Sequence, residues 1–93
     1  MTIIHRSSTE RSDPSQLALA ALGWVLADEG RAQRFLDLTG LTPDGLRSAL
    51  AETVTHRAIL EFLCAHEPDL LGAAEAMDID PARLAAAKEE LAQ

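Results

Sequence analysis

The amino-acid sequence predicts an all-α fold, a compact bundle of about six short helices arranged as two tandem three-helix units. Three observations lead there. Asp13-Pro14, Thr42-Pro43 and Asp80-Pro81 each place an oxygen-bearing side chain directly before a proline. That pairing starts a helix: the side chain accepts a free backbone N–H, and proline at the first helical position lacks an N–H that would need a partner. Apolar residues then recur at helical spacing after each start. β-branched residues are few and never alternate with polar ones, so no segment reads as a strand.

Residues 1–12 are polar, rich in Ser and Thr, and without periodicity. They are expected to form an N-terminal tail ahead of a single helical domain at 13–93. The first helix spans 14–27, with Gln16 at the capping-box position. Its run from Leu17 to Ala27 is apolar on every face, which marks a helix buried on most sides. Asp28, Glu29 and Gly30 break it. A second helix follows from Arg31 to Thr39, with Phe35, Leu36 and Leu38 turned inward. Gly40 ends it, because a left-handed residue is needed there and glycine supplies one without strain. A third helix opens at Pro43, with Leu46 and Leu50 one turn apart. Residues 54–65 form the fourth, apolar from Ala58 to Ala65 apart from Glu61. His66, Glu67 and Pro68 turn the chain. Leu70, Leu71, Ala74 and Met77 face one side of the fifth helix. The sixth begins at Pro81, with Leu84, Ala87 and Leu91 as its stripe.

The two halves, about 14–51 and 52–93, align at a constant offset of 38 residues. Ala20 falls on Ala58, Leu22 on Leu60, Glu29 on Glu67, Pro43 on Pro81 and Leu46 on Leu84. Trp24 falls on Phe62. The repeated order of apolar helix, acidic turn, short helix, cap, proline and final helix reads as an internal repeat. On that reading the helices at 14–27 and 54–65 pack against each other across a pseudo-twofold axis, with Trp24 and Phe62 largely buried.

Composition narrows the function. The 93 residues allow one domain. Cys64 is the sole cysteine, so neither an internal disulfide nor a two-cysteine metal site is possible. The net charge is −7. It is unevenly placed: three cations face four carboxylates over 14–51, and three face nine over 52–93. A nucleic-acid or anionic-membrane binder needs the cations this chain lacks. The longest uncharged apolar run is shorter than the roughly 20 residues a bilayer span requires. The N-terminus lacks the apolar core of a signal peptide. A cytoplasmic setting is the expectation.

Residues 35–50 read FLDLTGLTPDGLRSAL. The stretch, and most specifically Leu38 to Leu46 within it, resembles a small bacterial family of all-helical proteins of uncharacterised function. The resemblance extends over about residues 14–91. It implies a compact helical fold and a bacterial cytoplasmic setting. It carries no catalytic or binding residues.

Candidate chemistry is sparse. Leu36, Gly40, Leu41 and Leu46 have helix-turn-helix spacing, as do Ala74, Asp78, Ile79 and Leu84, but any tight helix corner shares it. The helix after Pro43 offers one cation, Arg47, for phosphates. His5, His56 and His66 are scattered, and zinc needs about four ligands around one cavity. Cys64 and His66 point away from each other on a helix. No Ser/His/Asp order, phosphate loop or dinucleotide fingerprint occurs. No enzyme activity, cofactor, metal or small-molecule substrate is indicated.

Elimination leaves a non-catalytic, acidic cytoplasmic protein acting through protein–protein contact, with another protein or with itself as a homodimer. The alternative is a transcription-related helix-turn-helix protein. Two surfaces are candidates for the contact. One is an acidic face drawn from Glu61, Glu67, Asp69 and Glu75. The other is the first helix at Gly23, which leaves a notch where Glu61 stands in the fourth helix.

Overall fold

The computed structural model describes residues 13–92, which form six helices. They are α1 Pro14–Leu26, α2 Glu29–Thr39, α3 Pro43–Ser48, α4 Thr53–Cys64, α5 Glu67–Met77 and α6 Pro81–Ala92. No strand occurs among the described residues. The expected tail at 1–12, with His5, lies outside them.

The boundaries follow from local chemistry. The Asp13 carboxylate accepts the Gln16 N–H at 3.3 Å, and Thr42 Oγ1 accepts the Gly45 N–H at 2.9 Å. Asp80 accepts the Ala82 N–H at 2.9 Å. Asp28 caps as well, holding the Arg31 N–H at 2.9 Å, so α2 starts at Glu29 and not at Arg31. Pro68 lies within the first turn of α5, where its missing N–H costs nothing, and the helix therefore starts before it. Gly40 is left-handed at φ 76°, and its N–H returns to the Leu36 carbonyl at 2.8 Å. Asp78 ends α5 in the same region at φ 59°. A short polar side chain tolerates that conformation better than most. The Ile79 N–H then closes the turn on the Ala74 carbonyl at 3.0 Å.

At the centre α1 packs on α4, and α6 lies against both. α5 contacts the same three helices, and α2 leans on α1 and α4. Val25, Phe35, Ile59, Leu60, Leu63 and Leu84 are fully buried. Phe35 meets the buried Phe62 edge to face, with centroids 5.4 Å apart and rings at 88°. α2 and α5 keep the 38-residue offset at both ends, and so do the starts of α3 and α6. The packing roles of the last pair differ. α6 has 12 residues and spans α1 and α4, whereas α3 has six and is anchored through Leu46.

Several inward assignments are corrected. Leu38 is 72% exposed. Ala32, Phe35, Leu36 and Thr39 set the inner face of α2, and Leu38 projects more than 90° away from its centre at 100° per residue. Leu71 is exposed for the same reason, because Leu70, Ala73, Ala74 and Met77 define the inner face of α5. Leu50 is exposed because α3 stops at Ser48 and the stripe does not continue. Trp24 is half-buried, not largely buried: its indole packs at the α5 side of α1 under Arg31.

Candidate functional site

α1 carries no charged residue from Pro14 to Leu26. Leu17, Ala18, Ala21, Leu22 and Val25 face the core. The opposite side stays in solvent and consists of Gln16, Leu19, Ala20, Gly23 and Leu26. Leu19 is 39% exposed and Leu26 43%. Gly23 lies between them one turn from each, and a Cβ placed there would meet nothing within 4 Å. The notch expected at Gly23 is therefore open.

Beside this face runs a groove formed where α1, α2 and α3 meet. Leu22, Leu26, Ala32, Leu36, Pro43, Leu46 and Leu50 line it, with Arg47 as the sole charged lining residue among those described. Its volume is about 350 Å³. That is the lower end of what ligand-sized cavities hold. Arg47 pairs with Asp44 across one turn at 2.5 Å, and both side chains are well exposed. The groove depends on α3 standing off the bundle, a tertiary feature with no signature in the sequence. Leu50, one turn beyond Leu46 in the sequence, supplies part of its wall.

The acidic candidates divide. Glu61, Glu67 and Glu75 are exposed. Glu61 is loosely paired with Arg57 one turn earlier, at 3.6 Å. Asp69 is buried and leaves the proposed face. Its carboxylate accepts from Arg34 Nη2 of α2. The Arg34 guanidinium also lies 5.1 Å from the Phe62 ring centroid, so the pair covers the aromatic contact below it. Asp69 thus ties α5 to α2. The long-range partner, 35 residues away, is what sequence spacing could not show.

A second tie joins α1 to α2 where α5 approaches them. The Arg31 guanidinium stacks 3.6 Å from the Trp24 ring centroid, and its Nη2 donates to the Trp24 carbonyl at 2.5 Å. Arg31 Nε is buried there without a hydrogen-bond partner among the described residues. On the benzo side of the indole, a Cβ at Gly72 would stand only 2.6 Å from Cζ2. Gly72 is what lets α5 approach Trp24.

The remaining polar candidates sit apart. His56 is buried at the start of α4. Its Nε2 lies 2.6 Å from the Leu50 carbonyl, which can only accept, so Nε2 carries the proton. Nδ1 then accepts the Ser15 hydroxyl at 2.9 Å. The imidazole links the starts of α1 and α4 to the turn after α3. His66 is exposed at the start of α5. Cys64 is half-buried, and burial pushes its thiol above the ordinary range. Among the described residues no three His, Cys, Asp or Glu side chains converge in metal-binding geometry. At the helix-turn-helix corner Leu46 is buried, Leu36 and Leu41 are half-buried, and the outer side of α3 presents the Asp44–Arg47 pair. No described helix is long and apolar enough to cross a membrane.

Comparison with known proteins adds one match. No curated protein and no solved structure matches the chain. A family model described as a protein of unknown function, DUF3572, matches residues 11–93, which takes in all six helices. The chain belongs to the DUF3572 family of proteins of unknown function.

Proposed function

We propose that this chain is a small, acidic, non-catalytic cytoplasmic protein that acts through protein–protein contact, docking another protein or a second copy on the exposed side of α1. The observation that carries the reading is the uncharged face of Leu19, Gly23 and Leu26, continuous through Leu26 with an apolar groove. In a chain with 25% charged residues, a whole helix without a charge stands out. Apolar surface kept in water is a cost that a partner removes. An apolar face and neighbouring groove suit a helix laid against them.

The test uses the natural protein and a Gly23→Glu variant as baits in extract from the native cell, with a Glu67→Gln, Glu75→Gln variant as control. A specific partner retained by the natural protein and the control, and lost by Gly23→Glu, supports the reading. Retention by all three removes α1 as the contact surface. A mobility shift on duplex DNA that weakens steeply with salt would instead favour the helix-turn-helix alternative.

A further inference from the structure

We infer that α3 is a hinged cover over the apolar groove, pivoting at Gly40 and latched to the bundle by His56. The device is independent of what docks at α1. α3 is the least held of the six helices. It has six residues, and no other helix packs closely along it. Leu46 is its single buried residue, and the others are exposed or half-buried. A helix that short does not stand on its own in water, so its position depends on the few attachments it has.

Those attachments leave a space. The groove parts α3 from α1 and α2, with Leu22, Leu26 and Leu36 on the bundle side and Pro43, Leu46 and Leu50 on the other. A packed interior has few voids larger than a water molecule, whereas this gap is about 350 Å³. α3 therefore rests over the bundle through Leu46 and is not packed into it. Swinging it outward bares Leu22, Leu26 and Leu36 as one apolar face. The Phe35–Phe62 contact and the packing of α1, α4 and α6 are untouched by that movement.

The two ends differ in the way a hinge and a latch require. Gly40, at φ 76°, joins α2 to the segment, and glycine takes up a changed φ and ψ at little steric cost. At the far end, local turns aside, one hydrogen bond among the described residues ties residues 42–51 to the bundle. It runs from His56 Nε2 to the Leu50 carbonyl at 2.6 Å. His56 does not move with α3. It is buried in the first turn of α4, and its Nδ1 accepts from Ser15 of α1 at 2.9 Å. Opening the cover breaks this one bond and lifts out one side chain, so it takes place far below the free energy of global unfolding.

The experiment is native-state amide hydrogen exchange on the full chain, with urea added below the unfolding transition. The amides of Leu46, Arg47, Ser48 and Ala49 should be protected about a hundredfold less than those of Leu60 and Leu63 in α4, or less still. Their rates should scarcely depend on urea, because the opening exposes little surface. Two variants separate the latch from the fraying of a short helix. His56→Leu keeps the buried volume apolar and removes the bond, and should speed the α3 amides about three- to tenfold. Leu84→Val weakens the core at α6, and should speed Leu60 and Leu63 while leaving the α3 amides unchanged. If His56→Leu does not fold, Ser15→Ala frees the imidazole from α1 and should act in the same direction as the loss of the bond. α3 amides that exchange together with Leu60 and Leu63, that ignore the loss of the latch, or that speed up with Leu84→Val overturn the inference.

Discussion

Two glycines in helix interiors should respond in opposite directions to the same change. A Cβ at Gly72 would stand 2.6 Å from Trp24 Cζ2 and 3.1 Å from Cη2. Carbon atoms rest at about 3.5–4.0 Å, so the indole must retreat by roughly 1 Å. It is not free to do so cheaply, because Arg31 is stacked on the ring and tied to the Trp24 carbonyl. Overpacking of this kind costs about 1–3 kcal/mol. Replacing glycine by alanine inside a helix returns about 1 kcal/mol of propensity. Gly72→Ala should therefore lose up to about 2 kcal/mol net. Gly23→Ala meets nothing within 4 Å and should keep the propensity gain, about 0.5–1 kcal/mol. In a domain of this size each kcal/mol moves the melting temperature by about 4–8 °C. The assay is thermal and urea unfolding at low micromolar protein, followed by circular dichroism and by the emission of the single tryptophan. Gly72→Ala should lower the midpoint and shift the emission, and Gly23→Ala should raise the midpoint. A Gly72→Ala protein as stable as the natural one, with unchanged emission, would refute the close approach of α5 to Trp24.

Other substitutions test other parts of the same structure. Phe62→Ala removes the partner of Phe35 and the surface beneath Arg34, and should cost about 3–5 kcal/mol in urea unfolding. Gly40→Val forces a β-branched residue to φ 76°, at about 1–3 kcal/mol. Asp80→Ala removes only a cap, at about 0.5–2 kcal/mol, so comparison of urea midpoints should rank Gly40→Val as the more damaging. Cys64 should react with a disulfide reagent more slowly than a free thiol at neutral pH, because burial favours the protonated form. The unfolded chain ionises its thiol first, so its contribution to stability is present below the usual thiol range and falls as pH rises through it, near 8.5. A Cys64→Ser variant should flatten that decline.

Much of the fold was legible because the helix ends are written locally. An Asp or Thr before a proline, and a glycine after an apolar run, act within four residues, and α1, α3 and α6 begin where those signals stand. Faces were harder. Leu38 and Leu71 are apolar residues on helices whose inner sides are fixed by neighbours, and spacing within one helix does not say where the neighbour lies. The candidate site was half legible. Gly23 was readable as a notch because the 38-residue offset sets it against Glu61 on α4. Asp69 was not readable as a buried tie, since its partner Arg34 is brought to it only by the docking of α5 on the bundle. The groove was invisible for the same reason: six helical segments of sequence say nothing of the angle at which α3 leaves α2.

The central claim is that the uncharged side of α1 is a contact surface, and residue-resolved chemical shifts test it most directly. Backbone amide spectra of the full chain are recorded as extract from the native cell is added and, separately, as the chain is diluted from about 1 mM to about 20 μM, across the range where a weak dimer dissociates. The expected result is shifts or broadening in one of the two series at Leu19, Ala20, Gly23 and Leu26, extending to Leu50, with Glu61, Glu67 and Glu75 unmoved. Spectra unchanged in both series, or changes centred on those three glutamates, would contradict it.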